Sequence, residues 1–577
     1  MADQRQLATN NEWLNLLHFK NGRSEIDDPA YFFSKNGKTN PQAELHASLS
    51  ALINDQTDDE QSVYCKYNSR SSWLISQLPE IKQQVKLPTC QALQQEIAHL
   101  DADSITLILA SAHINSPASA FGHTFLRIDS RQQTPLTAYA VNYAAQTQEK
   151  NGLIYAYKGI FGGYEGRYSI LPYAKKVQEY SDLEQRDIWE YRLNLTDDEL
   201  ARLNRHIFEI RHFYADYFFF DENCSYNLLW LLEVARPGTD LTSQFNVNAI
   251  PIDTVRAIEQ AGFIGETHYR PSNRKRMVKL AENLQHSNAR AFVKNGDYDL
   301  VMLNDVPKIE KISALEISAT QLKHQRSQDK IDQAEYSKTL LSLLRARSQL
   351  GHPLYVDIPP PASPKNGHLS SRLNLGWRNN NQTNKNDQSI IGFKPAYHAI
   401  EDHDYGYLAG AYISFFDAQL AIDETKTELD SLKLVDIRSY AIQDRLYKPI
   451  SWQVQLGAKR LADDQLYSFI KTGAGLSLGS EKHYGFILFA PAAFYREQFN
   501  YSGAIEAGLI SHYQQLKLGA QLSTTWFDQT FETEQQASIF GTYQFNQRWA
   551  LNLKHEAQKT LDKSARHTTD FNVFYYF

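Results

Sequence analysis

Apolar and polar residues alternate with a period of two over the C-terminal third of the chain. In two clear examples the apolar positions are Trp452, Val454, Leu456 and Ala458, and then Leu516, Leu518, Ala520 and Leu522. About twelve such segments follow one another up to Phe577, and this alternation is typical of strands with one face toward lipid and one toward a polar interior. The pattern predicts an antiparallel transmembrane β-barrel of the outer-membrane type over residues 368–577.

A soluble β-sandwich with one solvated face alternates in a similar way and is the alternative interpretation. Two features favour the barrel. Aromatic residues gather near the strand ends, as at Tyr405, Trp452 and Trp526. The chain also ends on Phe577, in phase with the apolar face, which resembles the C-terminal signal read by the outer-membrane assembly machinery. We therefore expect outer-membrane lipid and that machinery as partners.

The rest of the chain predicts an α+β organisation. Residues 1–100 are mostly helical in pattern, and apolar strand patterns begin near residue 104. Thr196 and Glu199 form a capping box that begins a helix, and Asn223 caps another helix over residues 224–235. The predicted divisions are a helical N-terminal domain (1–100), an α+β domain (101–255), a helical connecting region (256–358), a proline-rich linker (359–367) and the barrel (368–577).

Composition narrows the class of protein. The net charge is −7 and the pI is about 6.2, so there is no basic surface to bind nucleic acid, and we expect none as a partner. No apolar run is long enough for a helical membrane span. The first residues lack the apolar core of a secretory signal. Because a barrel requires export, we expect that a signal was removed and a start Met added.

The chain contains three cysteines: Cys65, Cys90 and Cys224. In an exported protein an odd number suggests one disulfide and one free thiol. A Cys65–Cys90 bond would close a short loop and stabilise the fold by about 3–4 kcal/mol. That pairing leaves Cys224 free, whereas the alternative is three reduced, buried thiols.

Two short segments carry candidate chemistry. Gly122 and His123 stand at the start of an apolar strand, and Asn223, Cys224 and Ser225 stand at the start of a helix. A helix start and a nearby imidazole both lower a thiol pKa, so the spacing permits a nucleophile–base pair. Asn223, Ser225 and the neighbouring amides are candidates for an oxyanion site or cleft. The sequence shows no metal-ligand spacing, phosphate loop or dinucleotide motif, so we expect no metal and no cofactor.

These segments, with the Gly-rich stretch from Lys158 to Tyr164, resemble the periplasmic domain of Lnb-type lipoprotein N-acyltransferases over roughly residues 100–255. The resemblance implies a permuted papain-like, NlpC-type fold in which the His strand precedes the Cys helix. Such folds add a polar residue on the next strand to orient the imidazole, and Asn142 is the candidate. Lys158 would lie in a loop that covers the cleft.

Together these features predict an outer-membrane protein with residues before about 360 in the periplasm. Cys224 and His123 would carry out thiol-dependent acyl transfer or hydrolysis on lipid-linked substrates, either lipoproteins or phospholipids. One alternative is a peptidoglycan endopeptidase or amidase, the commoner activity of NlpC-type folds. The other is a non-catalytic outer-membrane pore or assembly factor.

Overall fold

The structure, a computed structural model, describes residues 2–111, 121–149, 151–296, 298–352, 354–381, 386–461, 463–528, 533–560 and 565–577. The chain divides into two compact units, Met1–Arg270 and Pro271–Phe577, here called the first and second units. None of the described helices is long and apolar enough to span a membrane.

The first unit contains helices, a small β-hairpin and a larger antiparallel sheet. Its helices are α1 (Asn11–Leu16), α2 (Pro41–Asn54), α3 (Val63–Lys66), α4 (Asn68–Gln77), α5 (Gln91–Leu100), α6 (Gly152–Ile160), α7 (Tyr173–Val177), α8 (Asp197–Ile210), α9 (Cys224–Ala235) and α10 (Pro251–Gln260). Its strands are β1 (Phe19–Lys20), β2 (Arg23–Ser24), β3 (Ala102–Ala110), β4 (His123–Ser130), β5 (Tyr139–Ala145), β6 (Glu165–Pro172), β7 (Ile188–Leu193), β8 (Ala215–Asp216) and β9 (Ile264–Arg270).

Seven of these strands form an antiparallel sheet in the order β8-β6-β5-β4-β3-β7-β9. Helix α9 packs against β4 and β5, at the middle of the sheet, and against α1, α8 and α10. All of its residues are buried, which explains its almost continuous apolar sequence. The predicted capping box of α8, between Thr196 and Glu199, is present. The core of the first unit is therefore organised around one buried helix and the central strands.

The N-terminal helices are joined to the sheet domain by a buried ion triad. Arg70 donates to Glu44 at 2.9 Å and to Glu209 at 3.0 Å, and all three side chains are essentially inaccessible to solvent. Glu209 also accepts the backbone N–H groups of Ser69 and Arg70. Buried charges are tolerated only when they are paired and hydrogen-bonded in this way. The structure also contains the predicted disulfide between Cys65 and Cys90.

The described residues of the second unit form four α-helices and the barrel strands. The helices are α11 (Asn273–Ala281), α12 (Ser287–Asn295), α13 (Lys308–Ser327) and α14 (Gln333–Ser348). The strands are β10 (Arg372–Asn380), β11 (Gln388–Lys394), β12 (Ala396–His398), β13 (Ala411–Ile422), β14 (Thr427–Ser439), β15 (Ile442–Gln443), β16 (Ser451–Arg460), β17 (Leu466–Gly479), β18 (His483–Tyr495), β19 (Phe499–Tyr513), β20 (Leu516–Phe527), β21 (Glu534–Gln544), β22 (Trp549–Thr560) and β23 (Arg566–Tyr576).

The barrel prediction is confirmed. Within the described residues twelve long antiparallel strands form a closed ring, in which β10 pairs with both β11 and the last strand, β23. Outward-facing side chains such as Leu456, Ile470 and Phe489 are exposed and apolar. The interior holds ion pairs, for example Arg378 with Asp570 at 2.8 Å, around a polar cavity of about 330 Å³. The period-two pattern thus reflects lipid outside and charge inside.

The helices of the second unit pack against one end of the barrel. The segment between β15 and β16 places Leu446 and Tyr447 against the apolar core that α11 to α14 share. Arg274 of α11 donates to Asp444 of the same segment at 2.8 Å. The helical region and the barrel therefore form one compact unit, although the proline-rich stretch Pro359–Pro361 lies between them in the sequence.

The segment between β12 and β13, residues 399–410, crosses the inside of the barrel at the end where β10 begins and β23 stops. Its Asp404 accepts hydrogen bonds from Lys517 at 2.6 Å and from the Tyr412 hydroxyl at 3.0 Å. Those two residues belong to β20 and β13, which lie opposite each other in the ring. Asp402 accepts from Lys394 and Tyr576 on further strands. We call residues 399–410 the plug segment.

We expect the Asp402→Asn variant to lower barrel stability by about 3–5 kcal/mol, because it leaves the buried cations Arg372 and Lys394 without their shared carboxylate. The temperature at which the folded form loses its characteristic mobility in a detergent gel measures this loss. Asp528→Asn, in an exposed turn of the same barrel, is the matched control. Equal transition temperatures for the two variants would contradict the role given to Asp402.

Candidate functional site

Cys224 is the first residue of α9, and Asn223 fixes it there. The side-chain oxygen of Asn223 accepts the backbone N–H groups of Ser225 at 3.0 Å and Tyr226 at 3.3 Å. These are amides that a helix start leaves without a partner. Burial of the whole helix makes the cap necessary, because unpaired amides would otherwise be desolvated. The sulfur of Cys224 consequently occupies a fixed position at the helix start.

His123 begins β4, and Asn142 of the neighbouring strand β5 orients it. The Nε2 atom of His123 lies 2.7 Å from the Oδ1 atom of Asn142. Because an amide oxygen can only accept, Nε2 carries the proton and Nδ1 keeps a free lone pair. The ring is held between Phe125 and Tyr180, with ring centroids 6.1 Å and 5.5 Å away. His123 is therefore a neutral base with a defined orientation.

The Cys224 sulfur lies at the beginning of β4, next to the backbone of the residue that follows His123. The backbone N–H of Thr124, the residue after His123, and the Tyr217 hydroxyl both donate to the Cys224 sulfur. The guanidinium of Arg186 lies close enough to both Cys224 and His123 to act on their charges. The structure thus pairs His123 with Asn142, and it places Cys224 beside Thr124, the residue after His123.

Both groups are neutral at pH 7. Burial is the main cause that raises the pKa of the Cys224 thiol, although the Thr124 and Tyr217 hydrogen bonds act in the opposite direction. Burial likewise lowers the pKa of His123 to about 3. The sequence predicted a thiol pKa lowered by the helix start. That prediction is wrong because desolvation of the thiolate outweighs the favourable dipole.

The side chains of Asn223 and Ser225, two residues predicted for the cleft, form hydrogen bonds at the start of α9. Both amide hydrogens of Asn223 are donated, to the carbonyl oxygens of Phe219 at 3.1 Å and Ala249 at 2.7 Å. The Ser225 hydroxyl donates to Asn223 at 2.7 Å. Because these donors already have partners, neither side chain is available to an oxyanion. The two side chains therefore do not act as oxyanion donors, and the assignment of Asn223 and Ser225 to the cleft stays a prediction.

Lys158 is also placed differently from its prediction. It lies in helix α6, not in a loop, and its side chain is exposed, with Nζ 5.7 Å from the centre of the Tyr164 ring. The neighbouring glycines have no side chain, which leaves room for other residues to pack closely against the backbone. A side chain at Gly159 would begin 2.2 Å from the Phe219 ring. The Gly-rich stretch therefore allows helix α6 to pack directly against the segment that leads to Cys224.

Sequence reasoning missed Tyr180, Arg186 and Tyr217. Tyr180 lies in a π-helical stretch, Gln178–Leu183, and its ring stacks against Phe125 at 5.7 Å. The Arg186 guanidinium lies over Tyr180 at 5.0 Å and donates to the carbonyl oxygens of Ala110 and Ser111. The Tyr217 contact depends on a turn before α9. None of these positions has a local pattern that distinguishes it from other aromatic or basic residues.

One group of the described residues brings metal-ligand atoms together, inside the barrel. Side-chain atoms of His368, His398 and Asp402 all lie within 4.8 Å of one another. Each Asp402 oxygen, however, already accepts two hydrogen bonds: one from Arg372 and Tyr576, the other from Lys394 and the Ala399 amide. A carboxylate with this set of donors has no lone pair left for a metal. The group belongs to the plug segment's ion network.

Fold and site together define an outer-membrane β-barrel protein with a periplasmic α/β domain that carries a Cys–His–Asn arrangement. Residues 92–261 match the family model described as Lnb N-terminal periplasmic domain. The predicted resemblance is thereby confirmed for that domain, and its periplasmic description gives the location of the N-terminal part. Three families described as domains of unknown function match residues 5–77, 267–357 and 361–576.

Solved porins are similar to the barrel. The loop L8 deletion mutant of OmpT from Vibrio cholerae is 9% identical, with 36% of this chain and 98% of that chain covered and a TM-score of 0.21. The NanC porin is 6% identical, with 36% and 100% covered and a TM-score of 0.26. The KdgM porin is 6% identical, with 36% and 99% covered and a TM-score of 0.23. No curated protein sequence matches the chain.

We expect iodoacetamide to alkylate Cys224 in the folded protein more slowly than a free thiol at pH 7. Because the raised pKa keeps the sulfur protonated, the rate should increase as the pH rises above about 8.5. Intact mass measures the reaction, since Cys65 and Cys90 are bonded and one adduct reports Cys224. The urea-unfolded chain is the control. Fast labelling with a plateau already at pH 6 would show a stable thiolate instead.

Proposed function

We propose that the chain is an outer-membrane-anchored, periplasmic thiol acyltransferase or acyl hydrolase that acts on lipid-linked substrates. The observation that carries the proposal is the arrangement of Cys224 and His123. The sulfur stands at a capped helix start and is bonded by the amide next to His123, whose ring Asn142 orients. The order of the elements, a His strand before a Cys helix, is that of the permuted papain-like fold and supports the same reading.

The chemistry follows from the neutral pair. As the Cys224 sulfur attacks the carbonyl carbon of an ester or amide, its proton passes to Nδ1 of His123. The C–O or C–N bond of the substrate then breaks, and the leaving alcohol or amine takes that proton. The resulting thioester is attacked by an amine or by water, whose proton returns through His123 to the sulfur. The acyl group is transferred in the first case and hydrolysed in the second.

Thr124, whose backbone amide is bonded to the Cys224 sulfur, carries an unpartnered hydroxyl. Thr124 is buried, its amide donates to Cys224, and its Oγ1 atom has no hydrogen-bond partner in the described part of the chain. Such a group is a donor for a substrate oxygen that becomes charged during attack. In this proposal the Thr124 hydroxyl is the side-chain donor to the oxyanion.

The surroundings of Cys224 favour an acyl substrate over a peptide. Tyr155, Tyr180 and Tyr217 all lie within electrostatic reach of the sulfur, and burial raises the pKa of Tyr155 to about 12. A peptidoglycan endopeptidase needs an open, polar groove for its charged peptide. A wall of aromatic rings instead suits an apolar chain. The barrel supports this choice because it holds the domain at a lipid source.

We expect a Cys224→Ala protein to fold but fail to restore the lipid and lipoprotein acylation profile of a deletion strain, because no thioester can form. Folding is checked by the gel mobility of the barrel, and profiles are compared by mass spectrometry with those of the wild-type strain. If the variant restores every deletion phenotype, the chain is not a thiol enzyme. A muropeptide change without a lipid change would favour the endopeptidase alternative.

We expect Asn142→Ala to lower kcat by at least about tenfold with little change in KM, because a misoriented imidazole transfers protons less efficiently. Turnover of a short-chain p-nitrophenyl ester measures both constants. Asn142→Asp restores an acceptor for the Nε2 proton and should recover part of kcat. Ser169→Ala is the matched control, because its hydroxyl bonds only the Asn142 backbone. Equal kcat for Asn142→Ala and the wild type would exclude the positioning role.

A further inference from the structure

Helix α6 has one face that packs over the candidate site. The Tyr155 ring lies 5.1 Å from Phe219 and 5.5 Å from Tyr164, and it is within electrostatic reach of Cys224. Gly159 allows the helix backbone to contact the Phe219 ring directly. Since Phe219 also supplies a carbonyl to the Asn223 cap, this face is part of the wall around the helix start.

The opposite face of α6 is apolar and exposed. Ile154 is 43% exposed, Tyr157 66%, Ile160 39% and Phe161, just after the helix, 67%. The rings of Tyr157 and Phe161 contact each other at 4.9 Å, so the patch is continuous. The other large apolar side chains exposed on the described part of the first unit stand singly, at Leu87, Leu136 and Val247. Isolated exposure is ordinary, whereas a clustered patch marks an interaction surface.

The composition of the patch identifies its partner as a lipid surface. Helix α6 contains no acidic residue, and its charged residue, Lys158, is exposed and follows Tyr157 in the sequence. Aromatic residues with a neighbouring Lys are typical of segments that lie at the boundary between headgroups and acyl chains. The polypeptide joins this surface to a barrel that lies in a membrane, which keeps the local concentration of that partner high.

We propose that the outer face of α6, formed by Ile154, Tyr157, Ile160 and Phe161, docks on the phospholipid surface of the membrane that holds the barrel. The inference rests on the proposed function in one respect, namely that docking delivers lipid-linked acyl groups to Cys224. The inner face of the same helix forms part of the wall around the thiol. Contact with lipid and access to the thiol therefore involve one helix.

Photolabelling tests the contact itself, independently of catalysis. The full chain is reconstituted in vesicles of phosphatidylethanolamine and phosphatidylglycerol that contain a phospholipid with a diazirine acyl chain. After illumination we expect lipid adducts on the peptide that contains Tyr157 and Phe161 and none on the peptide that contains Val247. Adducts on the barrel strand that contains Phe489 are the internal positive control. A labelled barrel with an unlabelled α6 would overturn the proposal.

A pair of variants tests the consequence for turnover. We expect Tyr157→Ser with Phe161→Ser to reduce turnover of a vesicle-embedded phospholipid substrate about tenfold, a loss equivalent to about 1.4 kcal/mol. Turnover of a soluble short-chain ester should not change. Val247→Ser is the matched control, since it removes an exposed apolar side chain outside the patch. Equal losses on both substrates would show a damaged site and refute the docking role.

The two proposals fail in distinguishable ways. If the wild type turns over neither substrate and Cys224→Ala is indistinguishable from it, the proposed function is wrong, while the photolabelling result still decides the docking. If amides of α6 become protected in detergent as the protein concentration rises, the patch binds a second copy of the chain. That result would overturn the assignment to lipid.

Discussion

Complete burial of α9 is the constraint on which the first unit depends. A helix with solvent on no side must find a protein partner for every polar group it carries. Asn223 satisfies the first amides, and Glu233 accepts the amides of Leu241 and Thr242 at 2.7 Å each. The position of the Cys224 sulfur is thus a consequence of how the helix is buried. The same burial raises the pKa of the Cys224 thiol. Burial of α9 therefore determines both the position of the sulfur and its protonation state.

Residues of the N-terminal segment around the β1–β2 hairpin complete this burial. Glu25 accepts the Trp230 indole N–H at 2.7 Å and the Tyr226 hydroxyl at 2.9 Å, and His18 stacks on Trp230 at 5.0 Å. These contacts cover the side of α9 that the sheet does not reach. The match of residues 5–77 to a separate family therefore does not make them an independent appendage. Without these N-terminal residues, several polar groups of α9 would be exposed to water, although the sequence of this helix is typical of a protein core.

The parts of the structure that sequence could predict are those with a local signal. Each barrel strand carries its own alternation, and the caps at Thr196 and Asn223 are defined by a few adjacent residues, so both could be predicted. The Arg70–Glu209 contact joins residues 139 apart, and no local pattern identifies it. Asp402 and Asp404 lie in a short polar stretch that resembles an ordinary turn. Sequence also predicted that the helix start lowers the pKa of the Cys224 thiol. It could not predict the burial that raises this pKa, because burial is a property of the assembled fold.

The plug segment indicates whether the barrel acts as a pore or as an anchor. A ring of twelve strands with an empty interior could conduct solutes, but here buried ion pairs hold residues 399–410 between opposite strands. A charged segment bonded on several sides resists displacement, because each broken pair would leave a charge without its partner in a confined interior. The interior is therefore used to secure the barrel's own structure at that end. This favours a barrel that serves as an anchor, which agrees with a candidate site located entirely in the first unit.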